Sequence, residues 1–398
     1  MEFSSMINRL LMVLIAVMAM AGPVAAVEKT SFAIGYLEIE GDVRYEAPRA
    51  YAGIDVRPRQ RPLDGAELSI RESKIIGRAL GLKFSLERAH ADTAAGLAQE
   101  MGRLHDDMGI NYFLADAAAE VLPILSDYAG DRDILLFNLS APDDTLRAEA
   151  CAANTLHVIP SRAMLADAMA QFLVARRWDD ILILQGEFPE DAALSQAFQA
   201  AAQKYGLTVS GVRDFVIGSD PRDREKNNIA LLTTGVDYDV VFVADSLGQV
   251  GRYVPYQTTA PRPVIGSEGL VAGAWHWAWE RHGAPQLNQR FERRIGRRME
   301  DRDWAAWVAV KAIVEAVVRT GVADFSTVAA YLKGPMLIID GYKGAAMSFR
   351  PWDNQLRQPL LIHTYNAVIE RAPLAGFLHA TQYMDTLGYD MPENRCRF

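Results

Sequence analysis

From Phe32 onward, short apolar runs alternate with amphipathic stretches of helical period, and the series is completed twice by about residue 270. That alternation leaves few folds open. Strands that are apolar along their whole length are buried on both faces, and parallel neighbours need a long crossover, which the intervening helices supply. The expectation is an α/β chain with two lobes, each built on a doubly wound parallel sheet. The first series predicts strands over 32–39, 83–89, 111–115, 134–139 and 156–159, with helices over 65–80, 92–108 and 117–128. Asp92 is the expected N-cap of the second of these helices. The next series predicts a helix capped by Ser161 and running to 175, strands over 180–185, 208–216, 240–244 and 264–266, a helix over 190–205, and another opened by the polar residues 219–228. Helices over 287–298 and 304–320 and strands over 336–339 and 360–365 complete the lobes, and the last thirty residues form an irregular tail.

A length of 398 residues, half of them hydrophobic, exceeds one ordinary core and suits two domains. With 41 basic against 50 acidic residues and no basic run, a nucleic-acid surface is not expected. Residues 1–26 read as a secretory signal: Arg9 in the basic region, a short apolar core over 10–20, and Val24-Ala25-Ala26 as the cleavage site. The apolar core is shorter than the roughly 20 residues a membrane span needs, Gly22-Pro23 breaks it, and no cysteine follows for a lipid anchor. Export to a soluble compartment outside the cytoplasm is the expectation. Cys151 and Cys396 are the two cysteines, and an oxidising compartment favours a disulfide between them, with two buried free thiols as the alternative.

Enzyme signatures are missing: there is no phosphate-cradling loop, no dinucleotide fingerprint, no nucleophile elbow and no H-E-x-x-H. His276 and His282 are close in sequence but fit no common zinc spacing. The expected activity is therefore binding without catalysis. Residues 264–280, VIGSEGLVAGAWHWAWE, read as a buried strand that delivers Glu268 to its carboxyl end, where open α/β sheets hold ligands. Glu268 either meets a ligand or pairs internally with an arginine. Trp275, Trp277 and Trp279 follow at spacing two; each alone suits core packing, but together beside a strand end they point to at least one indole stacked on a flat ligand. Ser140 and Ala141 end a first-lobe strand and offer a hydroxyl and free backbone N–H groups, with Asp143 or Asp144 as the N-cap of a helix starting there. Arg147, Arg162 and Arg252 fall near strand ends, where a guanidinium fork suits a carboxylate.

The two lobes, the segment IGSEGL over 265–270 and WAAWVAVKAI over 304–313 resemble the leucine/isoleucine/valine type of ABC-transporter solute-binding protein. That resemblance implies the type I periplasmic binding fold: two Rossmann-like lobes joined by a three-crossover hinge, with crossings near Pro160, Ala274 and Ser348. It divides the chain into lobe 1 (27–160 and 275–347), lobe 2 (161–274 and 348–366) and a tail over 367–398 packed on the lobes. The runs NLSAPDDTLRAEAC, HVIPSRAMLADAM, GAPQLNQRF and PLAGFLHATQYMDTLGYDMPENRCRF are similar to the branch associated with pyrroloquinoline quinone (PQQ)-dependent alcohol dehydrogenase systems. The branch implies a monomeric periplasmic binding component, without a cofactor of its own, that closes on PQQ or a linked solute and works with ABC transporter membrane subunits. By the same resemblance Glu268 matches the acid that holds a ligand amino group, and Ser140-Ala141 match the segment that binds its backbone. The relatives' other carboxylate-binding serine falls near Asp116, where an acid would repel a carboxylate. A planar anionic ligand stacked on an indole and held by Arg162 and Arg252 is the leading expectation. An alcohol-derived or amino-acid-like solute, or a sensor or partner subunit of a dehydrogenase system, stands as the alternative.

Overall fold

The computed structural model describes residues 30–46, 59–216, 222 and 225–398. The signal-peptide reading and half of the polar run 219–228 lie outside them. The first sheet has five parallel strands in the order β2-β1-β3-β4-β5: β1 (Thr30–Ile39), β2 (Leu82–Ala91), β3 (Tyr112–Asp116), β4 (Leu135–Asn138) and β5 (Thr155–His157). The second has four parallel strands in the order β7-β6-β8-β9: β6 (Asp180–Gln185), β7 (Thr208–Asp214), β8 (Val240–Ala244) and β9 (Val264–Gly266). In each lobe the first strand lies between the second and the third, so the two halves repeat one topology. Every residue of β3, β4 and β8 is buried, as central strands covered on both faces must be.

Among the described residues, eight helices of eight residues or more cross over or cover the sheets: α1 (Leu63–Glu72), α2 (Ala94–Met108), α3 (Val121–Ala129), α4 (Arg162–Arg176), α5 (Pro189–Tyr205), α6 (Ala284–Ile295), α7 (Asp301–Thr320) and α8 (Phe325–Lys333). Their ends follow from capping. Thr93, one residue past the expected Asp92, caps α2 by accepting from Gly96 N. Ser161 caps α4 by accepting from Met164 N at 3.2 Å. The last long helix starts three residues before Trp304, because Asp303 reaches back to Glu300 N at 2.9 Å and settles the first turn there.

Two small antiparallel sheets complete the molecule: β10 (Val271–Gly273) with β14 (Leu360–His363) and β15 (Val368–Ala372), and β11 (Ile339–Asp340) with β12 (Ala346–Phe349) and β13 (Leu356–Arg357). The strand expected over 336–339 shrinks to its last residue because Met336 and Ile338 face solvent. The region read as tail begins with a true strand, β15.

Packing marks the passages between lobes. Leu270 and Ala272 pack on the core under the second sheet, whereas Ala274 and Trp275 belong to the core of the first. Phe349 and Leu356 still pack in the first core and Ile362 in the second, so the third passage comes near Leu360, later than the expected Ser348. The delay has a local cause: β12 and β13 form a hairpin whose apolar face is spent on lobe 1. Cys151, between β4 and β5, forms a disulfide with Cys396, which is 245 residues away in sequence. Among the described residues no helix is long and apolar enough to cross a membrane.

Candidate functional site

The carboxyl ends of the two parallel sheets come into contact where Arg59 Nη2, from the connection after β1, donates to Ser246 O, just beyond β8, at 2.7 Å. On the lobe-1 side the centre is Asp116, the last residue of β3 and fully buried. Its carboxylate accepts from Tyr36 Oη at 3.2 Å, from Tyr45 Oη, and from Arg61 Nη1 at 3.2 Å, with Arg44 Nη2 at 3.7 Å. Arg44 is aimed by Asp42, which takes its Nη2 at 2.6 Å, and its Nη1 donates to Ser140 Oγ at 3.1 Å. Arg61 is held by Ile39 O at 2.6 Å and by Glu38 at 3.4 Å.

Around the Tyr45 ring stand three guanidiniums: Arg61 at 4.5 Å from the centroid, Arg44 at 5.5 Å and Arg302 at 5.5 Å. Arg302 also donates to Tyr45 Oη at 3.2 Å. Burial, then the neighbouring Asp116 charge, raises the Tyr45 phenol well above its ordinary range, so it stays a neutral donor. Burial, then the positive charge of Arg302, lowers Arg59. Among the described residues Arg59 and Arg302 have no carboxylate in ion-pair contact, while Arg44 and Arg61 do.

On the lobe-2 side Glu268 sits in the turn between Gly266 and Gly269. These have φ of +105° and +76°, and a Cβ on either would run into backbone carbonyl oxygen, so the turn requires glycine at both. The turn is tied to β8 by Ser267 N, which donates to Val243 O at 2.9 Å. Burial raises the Glu268 carboxyl, Arg252 opposes the shift and Asp245 adds to it. Arg252 is fixed by Gly248 O at 2.6 Å, and the loop that carries it is folded around Asp245, which accepts from the backbone N–H groups of Gly248, Val250 and Gly251. Glu268 and Arg252 are thus brought together, both half-buried, at one strand edge.

The other expected contacts are placed differently. Ser140 is buried, its hydroxyl donating to Ala117 O at 3.2 Å while it receives Arg44. The backbone N–H groups of Ser140 and Ala141, expected to be free, are both taken by Asn138 Oδ1, at 3.2 and 3.0 Å. These two residues therefore shape the arginine site and do not offer free donors. Trp275 and Trp279 correct the stacking expectation. Both are buried in the lobe-1 core: Trp275 lies parallel to Trp304 at 6.1 Å and donates to Asn288 Oδ1 at 2.9 Å, and Trp279 donates to Tyr342 O at 3.1 Å. With faces packed and N–H groups satisfied, neither indole is available to a ligand. Trp277 is half-buried beneath Arg298, whose guanidinium lies 3.5 Å from its ring centroid. Arg162 is paired with Asp143 at 2.6 Å. Arg147 is a buried structural strut, donating to Gln355 Oε1, Ala141 O, Asp143 O and Ile159 O.

The arginines that do converge, Arg44, Arg59 and Arg61, were legible as a cluster. They sit in the polar, Pro-rich segment directly after the first strand, which also carries Arg49 and Arg57. A strand end in a doubly wound sheet is the place to look for ligand groups. Among the described residues there is no group of three or more His, Cys, Asp or Glu side chains placed to hold a metal ion.

No family model matches the sequence, and no curated protein matches it. Solved structures do match. A branched-chain amino acid ABC transporter periplasmic ligand-binding protein from Burkholderia xenovorans LB400 superposes with a TM-score of 0.70 over 92% of this chain and 99% of its own, at 12% identity. The fold is that of the type I periplasmic binding proteins. An amino acid ABC transporter substrate-binding protein from Pseudomonas fluorescens Pf-5 gives 0.69 at 14% identity, covering 93% of this chain and 99% of that one. An ABC transporter solute-binding protein from Rhodopseudomonas palustris BisB5, solved with 3,4-dihydroxybenzoic acid, gives 0.62 at 12% identity, covering 86% and 97%. Both parallel sheets of this chain belong to that shared architecture.

Proposed function

We propose that the protein is a periplasmic solute-binding component of an ABC-type transport system that closes its lobes on a planar aromatic anion and catalyses no reaction. The observation that carries this reading is the arginine group at the lobe-1 strand ends. Arg59 and Arg302 supply guanidinium forks with no carboxylate in ion-pair contact among the described residues, beside the Tyr45 phenol, whose own proton is held by Asp116, and all of these lie at the sheet edges where type I lobes meet. A carboxylate brought there gains charge-assisted bonds that strengthen as closing lobes exclude water. On the opposite lobe Glu268 accepts an N–H or pairs with Arg252. A solute with several carboxylates on a flat ring system, PQQ first, uses all of these groups. The aromatic acid bound by the Rhodopseudomonas palustris protein supports the same ligand class.

Calorimetric titration of the full chain with PQQ, 3,4-dihydroxybenzoate and leucine tests the reading. Saturable binding of a planar acid is expected, weakened about tenfold or more by Arg302→Ala or Arg59→Ala, since a lost charge-assisted bond costs roughly 1.5–3 kcal/mol. Leucine bound more tightly than either acid, with both variants at native affinity, would remove the basis of the proposal.

A further inference from the structure

We propose that the C-terminal tail is a covalent strap across the hinge side of the molecule, which limits how far the lobes open and which reduction of the Cys151–Cys396 disulfide releases. The inference rests on the proposed closing motion of the two lobes, and it adds a fourth connection to the three passages of the chain.

The tail is first anchored to lobe 2. Leu374 N donates to Gln171 Oε1 at 3.1 Å on α4, and Tyr205 at the end of α5 donates its hydroxyl to Thr386 O at 3.0 Å. Gly388 is held on both sides: its N–H donates to Asp167 Oδ2 at 2.8 Å and its carbonyl accepts from Lys204 Nζ at 3.0 Å, with Lys204 and Asp167 themselves paired at 2.9 Å. A Cβ at Gly388 would meet Met164 on the same helix, so this approach is close.

The tail then meets the lobe-1 hairpin β12–β13, just ahead of the third passage between the lobes. Arg350, buried, donates to Asp385 Oδ1 at 3.1 Å, to Leu387 O at 2.6 Å and to Tyr389 O at 3.2 Å. Arg357 grips the same Asp385 at 2.7 and 3.1 Å. A buried guanidinium spent on four tail groups, Met384 O at 3.3 Å being the fourth, makes this contact costly to peel away, because groups left behind would be buried and unpaired. Beyond Tyr389 the chain runs on over lobe 1, where Cys396 is bonded to Cys151 in the loop between β4 and β5, and Arg395 pairs with Glu149 at 2.9 Å on the exposed surface.

From Gly388 to Cys396 the strap can extend to at most roughly 28 Å. Opening of the lobes on this side must stay within that tether while the disulfide is intact. The Arg395–Glu149 pair, exposed on both sides, cannot replace it. Release needs a reductant of the dithiol class. One thiolate of dithiothreitol attacks the disulfide to give a mixed disulfide, the second thiol closes the cyclic oxidised reagent, and both cysteines leave as thiols, so that two electrons and two protons pass to the protein.

The test uses the ligand-free full chain, so its outcome is separate from that of any ligand titration. Small-angle scattering and amide hydrogen exchange are compared for the oxidised protein, the protein reduced with dithiothreitol and then reoxidised, and Cys151→Ser/Cys396→Ser. Reduction is expected to enlarge the radius of gyration and to speed exchange several-fold over 348–357 and 384–396, reversibly on reoxidation, with the far-ultraviolet dichroism unchanged. The double variant should match the reduced protein; where it fails to fold, the reduced and reoxidised samples decide alone. Glu149→Ala/Arg395→Ala, which keeps the disulfide, should behave as the native chain. Superimposable scattering and exchange in oxidised and reduced protein would overturn the strap, as would an equal effect from the ion-pair variant.

Discussion

Asp116 is the carboxylate on which the lobe-1 half of the site is built, so its removal has both a stability and a binding consequence. It is fully buried, takes two phenolic hydroxyls and Arg61, and has Arg44 at 3.7 Å. Removing one partner of a buried ion pair costs about 3–5 kcal/mol when the remaining charge is stranded. Here Arg44 retains Asp42 and Arg61 retains Glu38. Asp116→Ala is therefore expected at the lower end, near 3 kcal/mol, and Asp116→Asn, which keeps an acceptor for the phenols, near 2 kcal/mol. Urea unfolding followed by tryptophan emission reads both, since four of the seven indoles, Trp275, Trp279, Trp304 and Trp307, lie in the lobe-1 core. The vacated carboxylate position should also accept a carboxylate from solution. Benzoate at ten times its dissociation constant would restore about 1.4 kcal/mol to the Ala variant by linkage, and less to the native chain, whose own carboxylate occupies the place. Variants within about 0.5 kcal/mol of native would refute the buried hub. Equal stabilisation of all three proteins by benzoate would refute the idea that Asp116 stands where a ligand carboxylate could.

Two further expectations concern the lobe-1 side of the hinge. Trp275→Ala should destabilise the protein by about 3–5 kcal/mol while leaving PQQ affinity within about twofold of native, and Trp277→Ala should cost less than about 1 kcal/mol; a large affinity loss in the first without unfolding would return that indole to the site. His276 is lowered to about 4 by burial, then by His363 stacked 4.2 Å away and by Arg298, against 6.5 for the free side chain. A base depressed in the fold contributes its full stability above pH 6.5 and loses it as pH falls toward 4, so His276→Gln should lose less stability than native over that window. Parallel pH curves for the two proteins would show that another group carries the acid sensitivity.

The alternation of apolar strands and amphipathic helices was enough to read two parallel-sheet lobes, and it placed β6 and β8 to the residue, because burial on both faces of a central strand is written in consecutive side chains. It also located Glu268 just past the carboxyl end of β9, because the apolar run that forms the strand stops there. What the local pattern could not decide was which way an indole faces. Spacing two suggests one shared face only in a strand, and here Trp275, Trp277 and Trp279 lie in an irregular segment, so the first and third turn into the core while the second stays near the surface under Arg298. Nor could it decide which groups the arginines after the first strand meet. Asp116, Ser140 and Arg302 are far from Arg44 and Arg61 in sequence and join them because the order β1-β3-β4 sets three strand ends side by side and the start of α7 adds a fourth group. Hydrophobic burial is a property of short stretches, and a chain displays it residue by residue. Charge convergence depends on sheet order and on the desolvation each group meets there, which only the folded arrangement supplies.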